Sequence, residues 1–329
     1  MNTLGKYLRF TSFGESHGRA IGGVLDGVRA GVKINLDMIK QELDRRAGRE
    51  EVKGERSKVK GGVSPRAVRE ADEVEWLSGV LDGVTLGTPI AFIIRNKDAR
   101  SEDYAWLKEH CRIGHADWVY EQKYGIRDHR GGGRASARET ASRVVAGAVA
   151  KQLLVEKGVA VKAELIQVGD KTNPADFEQY IQQIRQVGDS IGGIVECRVT
   201  GMPVGIGEPI FDKLQSHLAF AMMSINACKG FEYGSGFRHV GKTGSEMYLS
   251  GNSELVSGGM AGGICNGEEI VFRCVFKPTA TNQKTLEAIG NEAMKIGRHD
   301  ACVAVRAVAV VEAMAALVIA DMLEEAQEA

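Results

Sequence analysis

The sequence predicts an α/β (α+β) fold with helices sandwiched between sheets. Three observations predict it: two long segments apolar on more than one face, strand-like runs separated from one another along the chain, and no linker or 20–50-residue repeat dividing them. A helix that is apolar nearly all round must be covered on both sides, and separated sheets supply that cover.

In chain order, Ile21–Val28 is glycine-containing and β-branched and reads as a strand, and Leu36–Arg46 has helical spacing at Leu36, Ile39 and Leu43. Residues 49–69 are charged and aperiodic and read as a mobile basic loop, followed by a buried strand at Pro89–Ile94. Ala137–Lys157 reads as a long helix whose apolar residues cover much of its circumference. Ile194–Thr200 and Ile270–Phe276 read as strands, Phe211–Ala227 and Val303–Ala326 as helices. With 329 residues the chain is long enough for a large core, and the expectation is a single domain over 1–329.

Composition narrows the function. Lys and Arg number 42 against 43 Asp and Glu, a net charge of −1, which disfavours a general nucleic-acid or membrane-surface binder but not a local basic pocket. The six cysteines are scattered and form no C-x-x-C pair, so neither a zinc site nor a redox motif is indicated. The N-terminal ten residues lack a signal-peptide core and the longest apolar stretch, Ala313–Ala320, is too short for a bilayer. A cytoplasmic protein is expected.

Four constellations carry chemistry. Gly14-Glu15-Ser16-His17-Gly18 matches G-x-S-x-G formally, but the residues after it favour a strand where a nucleophile elbow needs a helix. The alternative is a Ser–His pair on a tight turn facing a ligand, with His17 able to donate a proton near neutral pH. Arg112-Ile113-Gly114-His115-Ala116-Asp117 lets one loop present a cation, an imidazole and a carboxylate, with Asp117 suited to orient His115; a surface ion pair accounts for the same residues equally well. Arg127–Thr140 is the strongest signal: three glycines, four arginines (Arg127, Arg130, Arg134, Arg138) and a helix start near Ser136 form a cradle for a phosphate or carboxylate. No Walker or dinucleotide glycine motif is present, and few aromatics are at hand for stacking bases. Finally, Ser224–Gly230, Gly258–Gly263, Lys277–Thr281 and Gly297–Asp300 together supply amides, hydroxyls and cations suited to a flat cofactor bearing a phosphate.

Gly14–Gly18, Gly132–Gly147 (GGRASARETASRVVAG) and Gly297–Met314 (GRHDACVAVRAVAVVEAM) resemble the three signature regions of chorismate synthases, and Gly114–Gly133, Met223–Gly230 and Lys277–Thr281 match too. The resemblance covers nearly the whole chain in order. It implies a β-α-β sandwich with central helices between antiparallel sheets, a homotetramer, reduced FMN as cofactor, and 1,4-elimination of phosphate from 5-enolpyruvylshikimate-3-phosphate to give chorismate. It is compatible with NADPH as the flavin's reductant, and it implies no nucleic-acid or membrane partner. By the same resemblance His17 protonates the departing phosphate, His115 protonates the flavin, Asp300 takes the C6 hydrogen and Ser16 is an active-site serine. Arg46, Arg112, Arg138, Ser136 and Arg298 are implied to bind substrate. Arg134, Ala135, Ser136, Asn226, Ala227, Gly262, Lys277, Pro278, Thr279, Ala280, Thr281 and Arg298 are implied to bind the flavin. The chain departs from the family at several points. The usual run RRRPGxSR is replaced by Arg45-Arg46-Ala47-Gly48-Arg49, an expected asparagine near Ser257 is missing, and Arg19, Arg29, Ile113, Ala301 and Ala309 stand where proline is common. Two other readings compete with the lyase: a non-catalytic binding protein on the same fold, and an RNA-binding module using Arg127–Arg138.

Overall fold

The computed structural model of the chain describes residues 2–49, 72–97, 106–249, 256–288 and 300–328. The expected loop beyond Arg49, and Arg298, lie outside the described residues. The first half contains β1 (Thr3–Leu4), β2 (Arg9–Phe13), β3 (Ala20–Asp26), α1 (Leu36–Ala47), β4 (Val74–Ser78), β5 (Val80–Leu81), β6 (Val84–Thr85), β7 (Ile90–Arg95), α2 (Asp117–Tyr124) and α3 (Thr140–Glu156). The second contains β8 (Ala160–Val168), α4 (Pro174–Gln186), β9 (Gly193–Thr200), α5 (Leu214–Met223), β10 (Cys228–Tyr233), α6 (Gly244–Tyr248), β11 (Met260–Ala261), β12 (Ile264–Cys265), β13 (Ile270–Phe276), α7 (Gln283–Ala288) and α8 (Ala304–Glu328).

Two antiparallel sheets enclose the central helices. One runs β1-β2-β3-β7-β4, the other β10-β13-β9-β8. Between them, α3 packs on β3 and on α1, α8 packs on β8 and β9, and α3 and α8 pack on each other. The α+β sandwich predicted from the apolar helices is therefore the observed one.

Local chemistry explains the elements. Asn35 caps α1 by accepting from Met38 N at 3.0 Å, and Gly48 ends it in the left-handed region at φ 69°. The long central helix begins later than its apolar pattern. Ser136 caps a 3₁₀ turn at Ala137–Glu139, and the α-helix proper starts at Thr140. Gly147 marks where α3 meets α8. A Cβ there would lie 2.3 Å from Ala313 Cβ, so hydrogen is the only side chain this crossing admits. The predicted helix over Phe211–Ala227 is shorter, Leu214–Met223. Phe211 is 90% exposed before it, and Ala227 turns the chain through a positive φ of 67° after it. Buried residues from both sheets and the helix layer join one hydrophobic cluster. No helix among the described residues is long and apolar enough to cross a membrane.

Candidate active site

The Ser16–His17 turn connects β2 to β3. Gly14 enters it at φ 89°, where a Cβ would strike Ala20 O, and Gly18 N closes it onto Glu15 O at 3.0 Å. Ser16 and His17 are both buried, and Ser16 Oγ lies 3.1 Å from His17 Nδ1. The loop Arg127–Arg134 passes directly over them. A Cβ on Gly131 would fall 2.0 Å from the His17 ring, and one on Gly132 would fall 3.0 Å from the ring of His115. Two consecutive glycines thus seat two histidines that are far apart in sequence.

His115 is held from behind. Its Nδ1 is 2.8 Å from Asp117 Oδ1, while Arg112 forks onto the same carboxylate through Nε (2.7 Å) and Nη2 (2.8 Å). Arg112 Nη2 also lies 3.1 Å from His115 Nδ1. A carboxylate neighbour assigns the proton to Nδ1, which leaves Nε2 beside Gly132. Burial would raise the Asp117 carboxyl, but the hydrogen bonds from Arg112 and His115 prevail and hold it far below the ordinary range.

A second cluster lies next to His17. Arg138 donates from Nε to Asn96 Oδ1 (3.0 Å) and forms a close ion pair with Asp72 through Nη1. Asp72 also pairs with Arg46 (3.5 Å) and Arg49 (3.6 Å). Burial opposes ionisation of Asp72; the guanidinium groups of Arg138 and Arg46 outweigh it and lower its pKa. Arg46 is 1% exposed and its donors go to Thr140 Oγ1 and Ala137 O as well. Burial first, then the nearby charge of Arg306, brings it down to about 9, which still leaves it cationic at neutral pH. Asp300 belongs to this neighbourhood: its carboxylate takes Arg306 at 3.0 Å and its charge acts on Arg46.

The C-terminal loops close the remaining side. Thr279 Oγ1 donates to Asp300 O (2.9 Å), and Lys277 Nζ donates to Gly114 O (3.0 Å). Desolvation lowers the Lys277 ammonium, with nearby Lys229 adding to it. Asn226 Nδ2 reaches Ala135 O (3.1 Å), and Lys277 N reaches Ala227 O (3.0 Å). Asn226 Oδ1 is buried and has no hydrogen-bond partner among the described residues. Ser136, Ala135 and Ala280 line the same region through the contacts of the glycine loop and of Gly114. Pro278 is exposed and Thr281 is partly buried.

Other expected residues sit differently. Arg134 spends its guanidinium on Gly14 O (3.0 Å) and Ser12 Oγ (2.6 Å), so it fastens the glycine loop to β2. Arg127 and Arg130 turn to Glu121 (3.1 Å) and Asp128 (2.8 Å), so the expected four-arginine cradle reduces to Arg138. Gly262 is exposed on the β11–β12 hairpin and lines a separate cavity with Tyr233 and Phe237. Arg306, Asp72 and Asn96 were not singled out from sequence. Arg306 lies inside the third signature region and was findable there; the other two sit in ordinary charged surroundings with no local pattern.

A model of the family described as "Chorismate synthase" matches residues 8–323. The chain belongs to the chorismate synthase family. The chorismate synthase of Christiangramia forsetii is 46% identical, with 97% of this chain and 96% of that protein covered. That of Flavobacterium psychrophilum is also 46% identical with the same coverage. A crystal structure of a chorismate synthase superposes with a TM-score of 0.74 at 31% identity, covering 98% of this chain and 93% of that one. The chain is accordingly a lyase of the chorismate synthase type, and the basic, histidine-bearing pocket is the candidate active site of such an enzyme.

Proposed function

We propose that the chain removes phosphate from 5-enolpyruvylshikimate-3-phosphate with reduced FMN bound, breaking one C–O bond and one C–H bond to give chorismate. The seating of His17 and His115 on Gly131 and Gly132, with Arg138 and Asp300 alongside, is the observation that carries this reading. The residues fit a flavin: the orphaned Asn226 Oδ1, the Lys277 ammonium and the amides around Ala135 offer polar groups to a flat, phosphorylated ring system. When bound, reduced flavin supplies electron density as the C–O bond breaks; atoms and electrons balance because phosphate and a hydrogen leave together.

The protein's own groups do the rest. Arg138 and Arg46, with Arg112 across the glycine loop, make the pocket attractive to a substrate bearing a phosphate and two carboxylates. His17, fixed at Nδ1 by Ser16, offers a proton to the departing phosphate oxygen. His115, fixed at Nδ1 by Asp117, holds a proton on the cofactor side. Asp300 accepts the hydrogen from C6, with Arg306 holding its other oxygen. A homotetramer is part of the same reading and rests on the family alone. Asp300→Asn tests the chemistry. It should lower kcat about 10²-fold or more while KM moves little. An effect confined to KM would remove Asp300 from the hydrogen transfer.

A further inference from the structure

The pairing of β2 with β3 ends at Phe13 and Gly22, so the strands themselves do not fix the Ser16–His17 turn beyond them. A side chain from outside does. Asn96 follows the last residue of β7, and its Nδ2 donates to both ends of the turn, to Glu15 O at 3.0 Å and to Gly18 O at 2.9 Å. Its backbone N–H adds a bond to Arg19 O at 3.2 Å. The same amide's Oδ1 accepts from Arg138 Nε at 3.0 Å. An asparagine amide has two N–H donors and one carbonyl, and here each is used. The orientation is unambiguous. Flipping it would set oxygen against two carbonyls and NH₂ against a guanidinium.

We propose that Asn96 is a positioning residue for the elimination: one amide clamps the turn that carries His17 and aims Arg138, so that proton donor and anion-binding group keep a fixed spacing. The proposal rests on His17 and Arg138 meeting the substrate as described above. A displacement of about 1 Å at a reacting group can cost about 10² in rate, which is the scale expected here.

Two substitutions separate the two halves of the clamp. Asn96→Asp keeps the size and the acceptor for Arg138 but removes both donors to the turn. Asn96→Ala removes everything. With reduced FMN under anaerobic conditions, Asn96→Asp should lower kcat by about 10–10²-fold and leave KM within about threefold. Asn96→Ala should lower kcat similarly and also raise KM. The decisive readout is the combination with His17→Ala. If Asn96 acts through His17, either Asn96 substitution in that background should cost little more in kcat. Thermal midpoint and FMN affinity near wild type show that the fold is retained, and a misfolded Asp variant leaves the Ala variant to carry the same comparison. Wild-type kcat in a folded Asn96 variant, or a full multiplicative loss on top of an impaired His17→Ala, overturns the proposal. Wild-type turnover by His17→Ala alone overturns the role of His17 and the proposal with it, and this failure is distinct because the His17 variant itself is then unimpaired.

Discussion

His115 has two nitrogens, and Asp117 decides which one meets the pocket. The carboxylate at 2.8 Å takes Nδ1–H and is kept ionised by the Arg112 fork. Asp117→Asn leaves the side chain's shape in place but removes the charge that fixes the tautomer and pairs with buried Arg112, so kcat of the folded variant should fall at least about tenfold and the thermal midpoint should fall as well. Wild-type kcat would mean that His115 needs no such support. Sequence showed this triplet clearly because its three members lie within six positions, and it showed the Ser16–His17 pair for the same reason. It did not show Asn96 or Asp72. Their partners, Glu15, Gly18, Arg46 and Arg138, lie tens of residues away, and such pairings arise only when the sheet edge and the helix start come together. Local spacing also overcounted the arginines near the glycine loop. It registers their presence, whereas Glu121 and Asp128 determine where Arg127 and Arg130 point.

At the scale of elements, the helix layer is tied by a buried ionic network. Glu312 on α8 accepts from Arg45 on α1 (3.1 Å) and from Lys151 on α3, and its second oxygen takes Ala163 N on β8 (2.9 Å). Burial pushes the Glu312 carboxyl up, but Lys151 and Arg45 overcome this and leave it below the ordinary value. A depressed carboxyl contributes stability above its unfolded pKa of about 4.3, and loses it as pH falls through the lower folded value. Glu312→Gln should therefore destabilise by about 3–5 kcal/mol at pH 7, with the gap to wild type narrowing as the pH is taken below about 4. A gap unchanged across that range in urea unfolding would show that packing rather than charge is at stake. The elements most legible in the sequence were those with strong periodicity: β3, β7, β9, β13, α1, α3 and α8. Among those missed were β8, whose alternating buried residues are interrupted by a bulge between Leu165 and Gln167, and α4, despite its Asn173 cap and Pro174 start.

At the scale of the molecule, the two sheets and the helices between them bring β2–β3, the α3 start and the α8 start to one place. That convergence brings Ser16–His17, Arg138 and Asp300–Arg306, far apart in sequence, into one neighbourhood. Glycine serves this convergence at particular positions: Gly131 and Gly132 let the backbone pass across the histidine rings, and Gly147 lets α3 touch α8. The substitution of the usual arginine-rich run by Arg45-Arg46-Ala47-Gly48-Arg49 leaves Arg46 and Arg49 both paired with Asp72, so cationic groups remain at the pocket. Under the proposed function this pocket runs a redox-neutral elimination that still needs reduced flavin. The direct measurement is an anaerobic assay with chemically reduced FMN and 5-enolpyruvylshikimate-3-phosphate, following phosphate and chorismate together. Equal release of both, absent with oxidised FMN, is the predicted result; no product from folded protein that binds FMN, or phosphate released without chorismate, would contradict it.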